Sequence, residues 1–162
     1  MRIRVQIPLA IINHIIIRAM KKTAYLALTS FLMISASAIR AQDTRIKVTG
    51  IRSQKGNVII NVFRDQESYN QEEAFKSFTF SKKEISEGII TVKISPIPGI
   101  FGLTMIDDEN SNGKIDKNLI GMPKEGFGFS NFFMEKMKRP IFNDFKVDPK
   151  KQADITIKVK YI

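Results

Sequence analysis

The sequence contains no cysteine, and its single histidine, His14, lies near the beginning of the chain. The lack of cysteine excludes a disulfide framework, a thiolate nucleophile and a zinc site built from Cys and His. If export removes the first segment, the mature chain also lacks histidine, which excludes Ser-His-Asp and Cys-His catalysis. Carboxylates, lysine, tyrosine and a bound metal ion remain as the groups that could carry chemistry.

Acidic residues are absent from the first 41 positions, which carry six of the 26 basic residues. In this stretch, Met20-Lys21-Lys22 is followed by an apolar segment, residues 23–35, and then by Ala36-Ser37-Ala38, whose small side chains suit a cleavage site. The apolar segment is shorter than the roughly 20 residues that a membrane-spanning helix requires. The pattern therefore predicts a secretory signal peptide over residues 1–41.

The exact start and end of this signal peptide are open. Ile39-Arg40-Ala41 is a second candidate cleavage site, and residues 1–19 are interpreted as a surplus upstream start. From Gln42 onward, 20 basic and 16 acidic residues leave a net charge of +4, without a basic stripe for nucleic acid. We expect an exported protein, periplasmic or extracellular, with no membrane span after cleavage and no nucleic-acid partner.

A calcium-loop pattern occupies residues 108–116, where the sequence reads D-E-N-S-N-G-K-I-D. Oxygen-bearing side chains at alternate positions, followed by a glycine and a further acid, match the first two-thirds of an EF-hand loop. Gly113 permits the positive φ that brings such side chains around one cation. The predicted Ca²⁺ ligands are the side chains of Asp108, Asn110, Asn112 and Asp116 and the backbone carbonyl of Lys114, with Asp107 and Glu125 as further candidates.

The loop departs from an EF-hand at its twelfth position, where Leu119 stands in place of a bidentate glutamate. With two carboxylates among its formal ligands, the loop is expected to bind Ca²⁺ modestly unless Asp107, Glu109 or Glu125 contributes. No flanking helices are evident, so the loop is predicted to sit on a β scaffold. The alternative interpretation is a polar Asn/Gly turn between two strands, capped by its own Asx hydrogen bonds.

The rest of the chain alternates between apolar strand patterns and turn-forming residues. Seven strands are predicted, over residues 45–50, 58–64, 77–81, 88–95, 100–106, 143–147 and 154–161. Residues 65–76 are predicted to form a loop with about one to two helical turns, in which Phe75 points inward. The spacing predicts an all-β fold in one domain, residues 42–162: an antiparallel β-sandwich of Ig-like or transthyretin-like type, with one long Asp/Asn/Gly loop and at most short helices.

Residues 108–131, D-E-N-S-N-G-K-I-D-K-N-L-I-G-M-P-K-E-G-F-G-F-S-N, resemble the signature of the bacterial family called domain of unknown function 2141. Pro140-Ile141-Phe142-Asn143-Asp144 resembles the family's downstream P-x-F-x-D segment. Two positions differ from the usual pattern, because Asp107 replaces a histidine and Phe145 replaces an alanine. The resemblance extends from about Arg45 to the C-terminus and implies an exported, single-domain β-sandwich without an assigned activity.

The segment rich in glycine and phenylalanine, residues 121–131, has two interpretations. In the structural interpretation, its glycines adopt unusual φ values while Phe127 and Phe129 pin a long connection to the edge of a sheet. In the functional interpretation, the segment forms one wall of a binding groove, Glu125 supplies an acid to the metal, and an aromatic ring stacks on a ligand. Packing is the commoner role of aromatic side chains in a small domain.

Three functions are compatible with these observations. The leading hypothesis is a non-enzymatic exported binding or structural module, with a Ca²⁺-stabilised loop and an unknown ligand or protein partner. The second is a small hydrolase that uses two carboxylates from the set Asp107, Asp108, Glu109, Asp116 and Glu125. The third is a carrier that holds an apolar ligand between the sheets, in a cavity lined by Phe63, Phe101, Met105 and Phe129.

Overall fold

The computed structural model describes Arg18, residues 43–152 and residues 154–162. Apart from Arg18, the predicted signal peptide at residues 1–41 lies outside the described residues and stays a prediction. Residues 42–162 form a compact unit of their own. No helix in the described part of the chain is long and apolar enough to cross a membrane.

The described residues fold mainly into β-strands, as the sequence predicts. The eight strands are β1 (Thr44–Thr49), β2 (Asn57–Phe63), β3 (Lys76–Ser81), β4 (Ile89–Ile94), β5 (Phe101–Asp108), β6 (Gly126–Phe129), β7 (Lys146–Val147) and β8 (Asp154–Lys158). The helical elements are α1 (Gln66–Asn70), α2 (Phe142–Phe145) and one 3₁₀ turn (Lys82–Glu84). Every predicted strand except residues 143–147 is confirmed, with ends shifted by at most three residues.

The strands form two sheets. One sheet has the order β4-β1-β8, and the other has the order β3-β2-β5-β6, with β7 pairing to β5. The described strand pairs are antiparallel except for β1 with β8, which is parallel, so the prediction of wholly antiparallel pairing is wrong for this pair. In it, Ile46 lies opposite Ile155 and Val48 lies opposite Ile157.

The common core contains side chains from both sheets. Alternation along each strand places every second side chain on the same face, and the apolar faces meet in one hydrophobic cluster. Its fully buried members include Ile46 and Val48 of β1, Ile60 of β2, Leu103 of β5 and Ile157 of β8. Burial of each such side chain stabilises the folded state by roughly 1.5–3 kcal/mol, so this cluster is the main source of stability.

A second, aromatic cluster covers the opposite face of the sheet that contains β2, β5 and β6. Its buried members are Phe63, Tyr69, Phe127, Phe129, Met134, Phe142 and Phe145. Tyr69 packs edge-on against Phe63 and Phe145, with ring centroids 5.5 Å and 4.9 Å apart. This sheet is therefore covered with apolar groups on both faces.

Two predictions near the aromatic cluster are wrong. Residues 143–147, predicted as a strand, contain most of α2, and only Lys146–Val147 are extended. The reason is that Phe142 and Phe145, three positions apart, both enter the cluster from one side of a helical turn. Phe75, expected to point inward, is 60% exposed and lies against the guanidinium group of Arg64, 4.2 Å from its carbon atom to the ring centroid.

Strand β6 lies in a segment for which little regular structure is predicted. Its glycines face β8 and the residues that follow it. A Cβ atom on Gly128 would lie 2.5 Å from Cγ2 of Ile157 in β8, and one on Gly126 would lie 2.5 Å from the ring of Tyr161. Its phenylalanines enter the aromatic cluster on the other face. The glycines thus let β6 approach β8 closely, and the phenylalanines that alternate with them fill the aromatic cluster.

Replacing Gly128 with alanine tests this close approach. The added methyl group collides with Ile157, so β6 has to move away from β8, and the free energy of unfolding should fall by about 1–3 kcal/mol. Urea denaturation of residues 42–162 measures the change. Lys124→Ala, an exposed substitution just before β6, is the control and should change stability by less than about 0.5 kcal/mol. A Gly128→Ala protein as stable as the wild type would contradict the described packing.

Candidate metal-binding loop and adjoining groove

The candidate site begins at the end of β5, where two aspartates follow one another. Asp107 and Asp108 are both buried, at 0% and 1% exposure. Because successive side chains of a strand point to opposite faces, Asp107 lies on the common-core side with Met105, and Asp108 lies on the other side. The two carboxylates consequently bind different partners.

Asp107 belongs to a buried network of charged and polar groups. One carboxylate oxygen pairs with the ammonium group of Lys82, and the other accepts a hydrogen bond from the Tyr161 hydroxyl. Lys82 is as fully buried as Asp107, although residues 82–87 have the sequence of a polar turn. Burial raises the pKa of Tyr161, and the hydrogen bond to Asp107 raises it further.

Arg52 connects this network to the beginning of the loop. Its guanidinium group donates to both carboxylate oxygens of Glu109, at 3.0 and 2.7 Å, and lies over the ring of Tyr161, 4.3 Å from its centroid. The hydrogen bonds from Arg52 lower the pKa of Glu109. Because the Arg52 side chain is half exposed, the pair contributes little to stability, but it holds the Glu109 carboxylate in a defined position.

Asp108 organises the calcium-loop segment from its first position. Its carboxylate accepts hydrogen bonds from the backbone N–H groups of Asn112 at 3.0 Å and Gly113 at 2.9 Å. Gly113 has a φ of +81° and Ser111 has a φ of +59°, so the chain curls back toward Asp108, as predicted for Gly113. A carboxylate oxygen can accept more than one partner, so both oxygens of Asp108 keep lone pairs for a cation.

Asp116 closes the loop. Its carboxylate accepts hydrogen bonds from the side-chain amides of Asn110, at 2.7 Å, and Asn112, at 3.0 Å. The amide oxygens of these asparagines accept backbone N–H groups, from Asn112 at 3.1 Å and from Lys114 at 3.0 Å. These local bonds are those of a self-capped turn, and they also gather the predicted ligand side chains in one place.

Glu125 joins the loop from the segment that precedes β6. It is buried, and its two carboxylate oxygens accept hydrogen bonds from the backbone N–H groups of Glu109, at 3.1 Å, and Asp116, at 3.0 Å. The side chain thus bridges the two ends of the loop. Segment 121–131 therefore contributes both a strand and a buried acid to this part of the molecule.

Four of the predicted ligand side chains come together through these bonds: those of Asp108, Asn110, Asn112 and Asp116. Lys114 lies in the same loop with its side chain exposed, and Glu125 contacts the loop backbone. The structure does not bring Asp107 to the loop, because Lys82 and Tyr161 engage its two oxygens. Among the described residues, no three side chains of Asp, Glu, His or Cys form a group that would hold a metal ion.

Three residues next to the loop carry no local sequence signal for their role. Lys82 and Arg52 look like ordinary surface cations, and Gly56 looks like a turn residue. Gly56 has a φ of +73° and packs so tightly that a Cβ atom would collide with the carbonyl oxygen of Asp108. Lys82 lies 25 positions from Asp107, and Arg52 lies 57 positions from Glu109, so only the folded chain reveals these contacts.

A groove of about 980 Å³ adjoins the loop on the face that carries the aromatic cluster. Strands β2, β5 and β6 contribute to its lining, together with residues 113–117 and 121–123 of the long loop. Met134, Met137 and Arg139 line it as well. Glu72 pairs with Lys117 at 3.6 Å and with Arg139 at 3.9 Å, so these two parts of the lining lie close together.

The cavity expected for an apolar carrier does not take the predicted form. Phe101 and Met105 are fully buried in the common core, whereas Phe63 and Phe129 belong to the aromatic cluster on the other face. The expectation of one cavity between the sheets lined by all four residues is therefore wrong. The groove lies instead on the face away from the common core.

Fold and site together define an all-β unit of two sheets with a long Asp/Asn/Gly loop beside a surface groove. The family model described as an uncharacterized protein conserved in bacteria (DUF2141) matches residues 46–157. The match spans more than half of the chain, and the chain belongs to this family, as the resemblance of residues 108–131 indicates. No curated protein and no solved structure matches the chain significantly.

Removing the Lys82 ammonium group tests the buried network. Lys82→Met leaves the Asp107 carboxylate buried without its cation, so the free energy of unfolding at pH 7 should fall by about 3–5 kcal/mol. Urea denaturation measures the loss. The double variant Lys82→Met/Asp107→Asn removes the unpaired charge and should recover part of it. If Lys82→Met lowers the free energy of unfolding by no more than Lys83→Met does at the exposed neighbouring position, the buried ion pair is refuted.

Tyr161 should make the folded unit sensitive to alkali. Because its pKa is raised in the folded state, the unfolded chain releases a proton above about pH 10 that the folded chain keeps. The free energy of unfolding should therefore fall as the pH rises above about 10. Equilibrium unfolding of the wild type and Tyr161→Phe measures this fall, which should be shallower in the variant by up to about 1.4 kcal/mol per pH unit. Parallel pH curves for the two proteins would contradict the raised pKa.

Proposed function

We propose that this chain is an exported, non-enzymatic binding module of β-sandwich architecture, with a Ca²⁺-stabilised loop at residues 108–116. One observation carries the metal part of the proposal, namely the convergence of four predicted ligand side chains within a single loop: Asp108, Asn110, Asn112 and Asp116. The sandwich architecture is supported by the cluster that draws buried side chains from both sheets. Export is inferred from the sequence of residues 1–41.

The donor set of the loop fits a hard cation. Ca²⁺ takes about 6–8 oxygen ligands, and the loop offers two carboxylates, two amide oxygens and the Lys114 carbonyl, with room for water. In the hydrogen-bonded loop, the amide N–H groups of Asn110 and Asn112 partly neutralise the Asp116 carboxylate. A bound Ca²⁺ would supply that positive charge, and the amide oxygens would face the ion in place of the nitrogens.

The affinity for Ca²⁺ is expected to be modest. Leu119 is fully exposed at the position where an EF-hand has its bidentate glutamate, so this ligand is missing. Glu125 holds both ends of the loop and lowers the conformational entropy that an ion would otherwise have to remove. We expect a dissociation constant on the order of 10⁻⁴–10⁻³ M, the range of extracellular modules.

The contacts of the acids favour binding over hydrolysis. Asp107 is paired with Lys82 and Tyr161, Glu109 with Arg52, and Glu125 with two backbone N–H groups. Each of these carboxylates is therefore already engaged by donors of the protein itself, whereas an acid–base pair needs carboxyl groups within hydrogen-bond reach of a substrate. The groove next to the loop supplies the binding face of the proposed module.

Calcium should stabilise the folded unit by mass action. At about 10 mM Ca²⁺ and the affinity expected above, the free energy of unfolding should increase by roughly 1.4–2.7 kcal/mol. The Tm of residues 42–162 should then be roughly 5–15 °C higher than in EGTA. Thermal unfolding followed by circular dichroism measures the shift. Asp116→Asn removes one of the two loop carboxylates and should abolish most of the rise.

The matched control is Asp154→Asn, at an exposed aspartate where β8 begins, which should keep the full calcium response. Equal Tm values in EGTA and in Ca²⁺ would refute the metal site and leave residues 108–116 as a self-capped turn. A rise of the same size in Asp116→Asn and in the wild type would place the calcium outside this loop.

A further inference from the structure

The turn at residues 118–121 carries two large apolar side chains in solvent. Leu119 is 107% exposed and Ile120 is 82% exposed, the highest values among the large hydrophobic residues that the structure describes. We call residues 118–121 the apolar tip. Its two side chains make almost no contact with the rest of the chain, so they do not stabilise the fold through burial.

The apolar tip is nevertheless an ordered turn. The side-chain oxygen of Asn118 accepts the backbone N–H groups of Ile120 at 3.1 Å and Met122 at 2.9 Å, and the Asn118 carbonyl accepts the N–H of Gly121 at 2.9 Å. Gly121 has the positive φ of +79° that the turn requires. Asn118 and Gly121 would form this turn with polar residues between them, so its geometry does not explain the choice of leucine and isoleucine.

Positive charge is concentrated in two segments of the chain, one of which contains the apolar tip. The two segments 114–124 and 132–141 contain six lysine and arginine residues but two acidic residues, and all six basic side chains are exposed: Lys114, Lys117, Lys124, Lys136, Lys138 and Arg139. Both segments line the same groove. In the rest of residues 42–162, basic and acidic residues are equal in number, at 14 each. Glu72 pairs with Lys117 at 3.6 Å and with Arg139 at 3.9 Å, whereas Lys114, Lys124, Lys136 and Lys138 form no salt bridge among the described residues.

We propose that the apolar tip docks on an anionic lipid membrane, with Leu119 and Ile120 inserted at the interface and the surrounding lysines facing the headgroups. The inference deepens the proposed binding function by naming a partner, and it rests on that function in treating the long loop as a binding face. It does not require the calcium ion, since the hydrogen bonds of Asn118 and the positive φ of Gly121 that form the turn lie outside residues 108–116.

The shape and the charge of this surface both fit a bilayer. A tip two residues wide enters a fluid interface that opens around it, whereas a protein partner needs a pocket of matching shape. The four lysines without a salt bridge suit a diffuse negative surface, and each lysine or arginine near such a surface adds to the attraction. Binding at a membrane surface strengthens with the apolar area inserted and with attraction to anionic lipids, and this surface offers exposed apolar side chains and exposed lysines.

Vesicle co-sedimentation of residues 42–162 tests the docking. This unit holds the buried residues of both hydrophobic clusters and lacks the apolar segment 23–35, which would bind lipid by itself. We expect it to bind phosphatidylcholine vesicles that contain about 30% phosphatidylglycerol and to bind pure phosphatidylcholine at least about tenfold more weakly. The double variant Leu119→Ser/Ile120→Ser should lose at least about tenfold in partition coefficient on the anionic vesicles.

Ile100→Ser is the matched control, because Ile100 is an exposed apolar residue, at 49%, beside the opposite end of β5. It should leave binding unchanged. The chain has no tryptophan, so Leu119→Trp provides a single fluorophore whose emission should shift to shorter wavelength on anionic vesicles. The tryptophan emission of the Ile100→Trp variant should not shift on the same vesicles.

Failure to bind either vesicle composition would overturn the proposal, and a protein partner would then be the occupant to test at the apolar tip. Equal binding by the wild type and the Leu119→Ser/Ile120→Ser variant would overturn it as well. Repeating the measurement in EGTA and in Ca²⁺ separates the two proposals. If the Tm is the same in EGTA and in Ca²⁺, the metal site is refuted but the docking is not. Vesicle binding in EGTA would still support the docking.

Discussion

The two-residue alternation at the end of β5 determines how the candidate site is built. Asp107 lies opposite Val58 of β2 and Asp108 lies opposite Asn57, so the pairing of these two strands decides which carboxylate enters the core and which enters the loop. Asp107 meets a buried lysine, and Asp108 caps the curl that leads to Gly113. A shift of one position would exchange the two environments and leave Lys82 buried without its partner.

The loop is held by contacts from distant parts of the chain rather than by its own sequence alone. Arg52 positions Glu109 at its beginning, and Glu125 bridges both of its ends. Gly56 packs against the Asp108 carbonyl from the preceding turn. Such preorganisation lowers the entropy that a ligand must remove, and it supports the proposal of a cation site that has few carboxylates.

Local patterns predict much of this fold. Strands with clear apolar alternation, such as β1, β4 and β5, and the curl at Gly113 are recognisable because each depends on neighbouring residues. Strand β6 is not predicted from the sequence. Its two glycines alternate with Phe127 and Phe129, but a glycine has no side chain that would indicate a buried strand position. Lys82 is missed because its burial depends on Asp107, 25 positions away, and a lysine in a polar turn is ordinarily solvated.

The most direct test of the calcium loop is a high-resolution crystal structure of residues 42–162 grown in millimolar Ca²⁺. The account predicts an ion with about 6–8 oxygen ligands at roughly 2.3–2.6 Å, among them Asp108, Asp116 and the amide oxygens of Asn110 and Asn112. Asparagine nitrogens that still donate to Asp116 in such crystals, with no ion beside them, would contradict it and establish a self-capped turn.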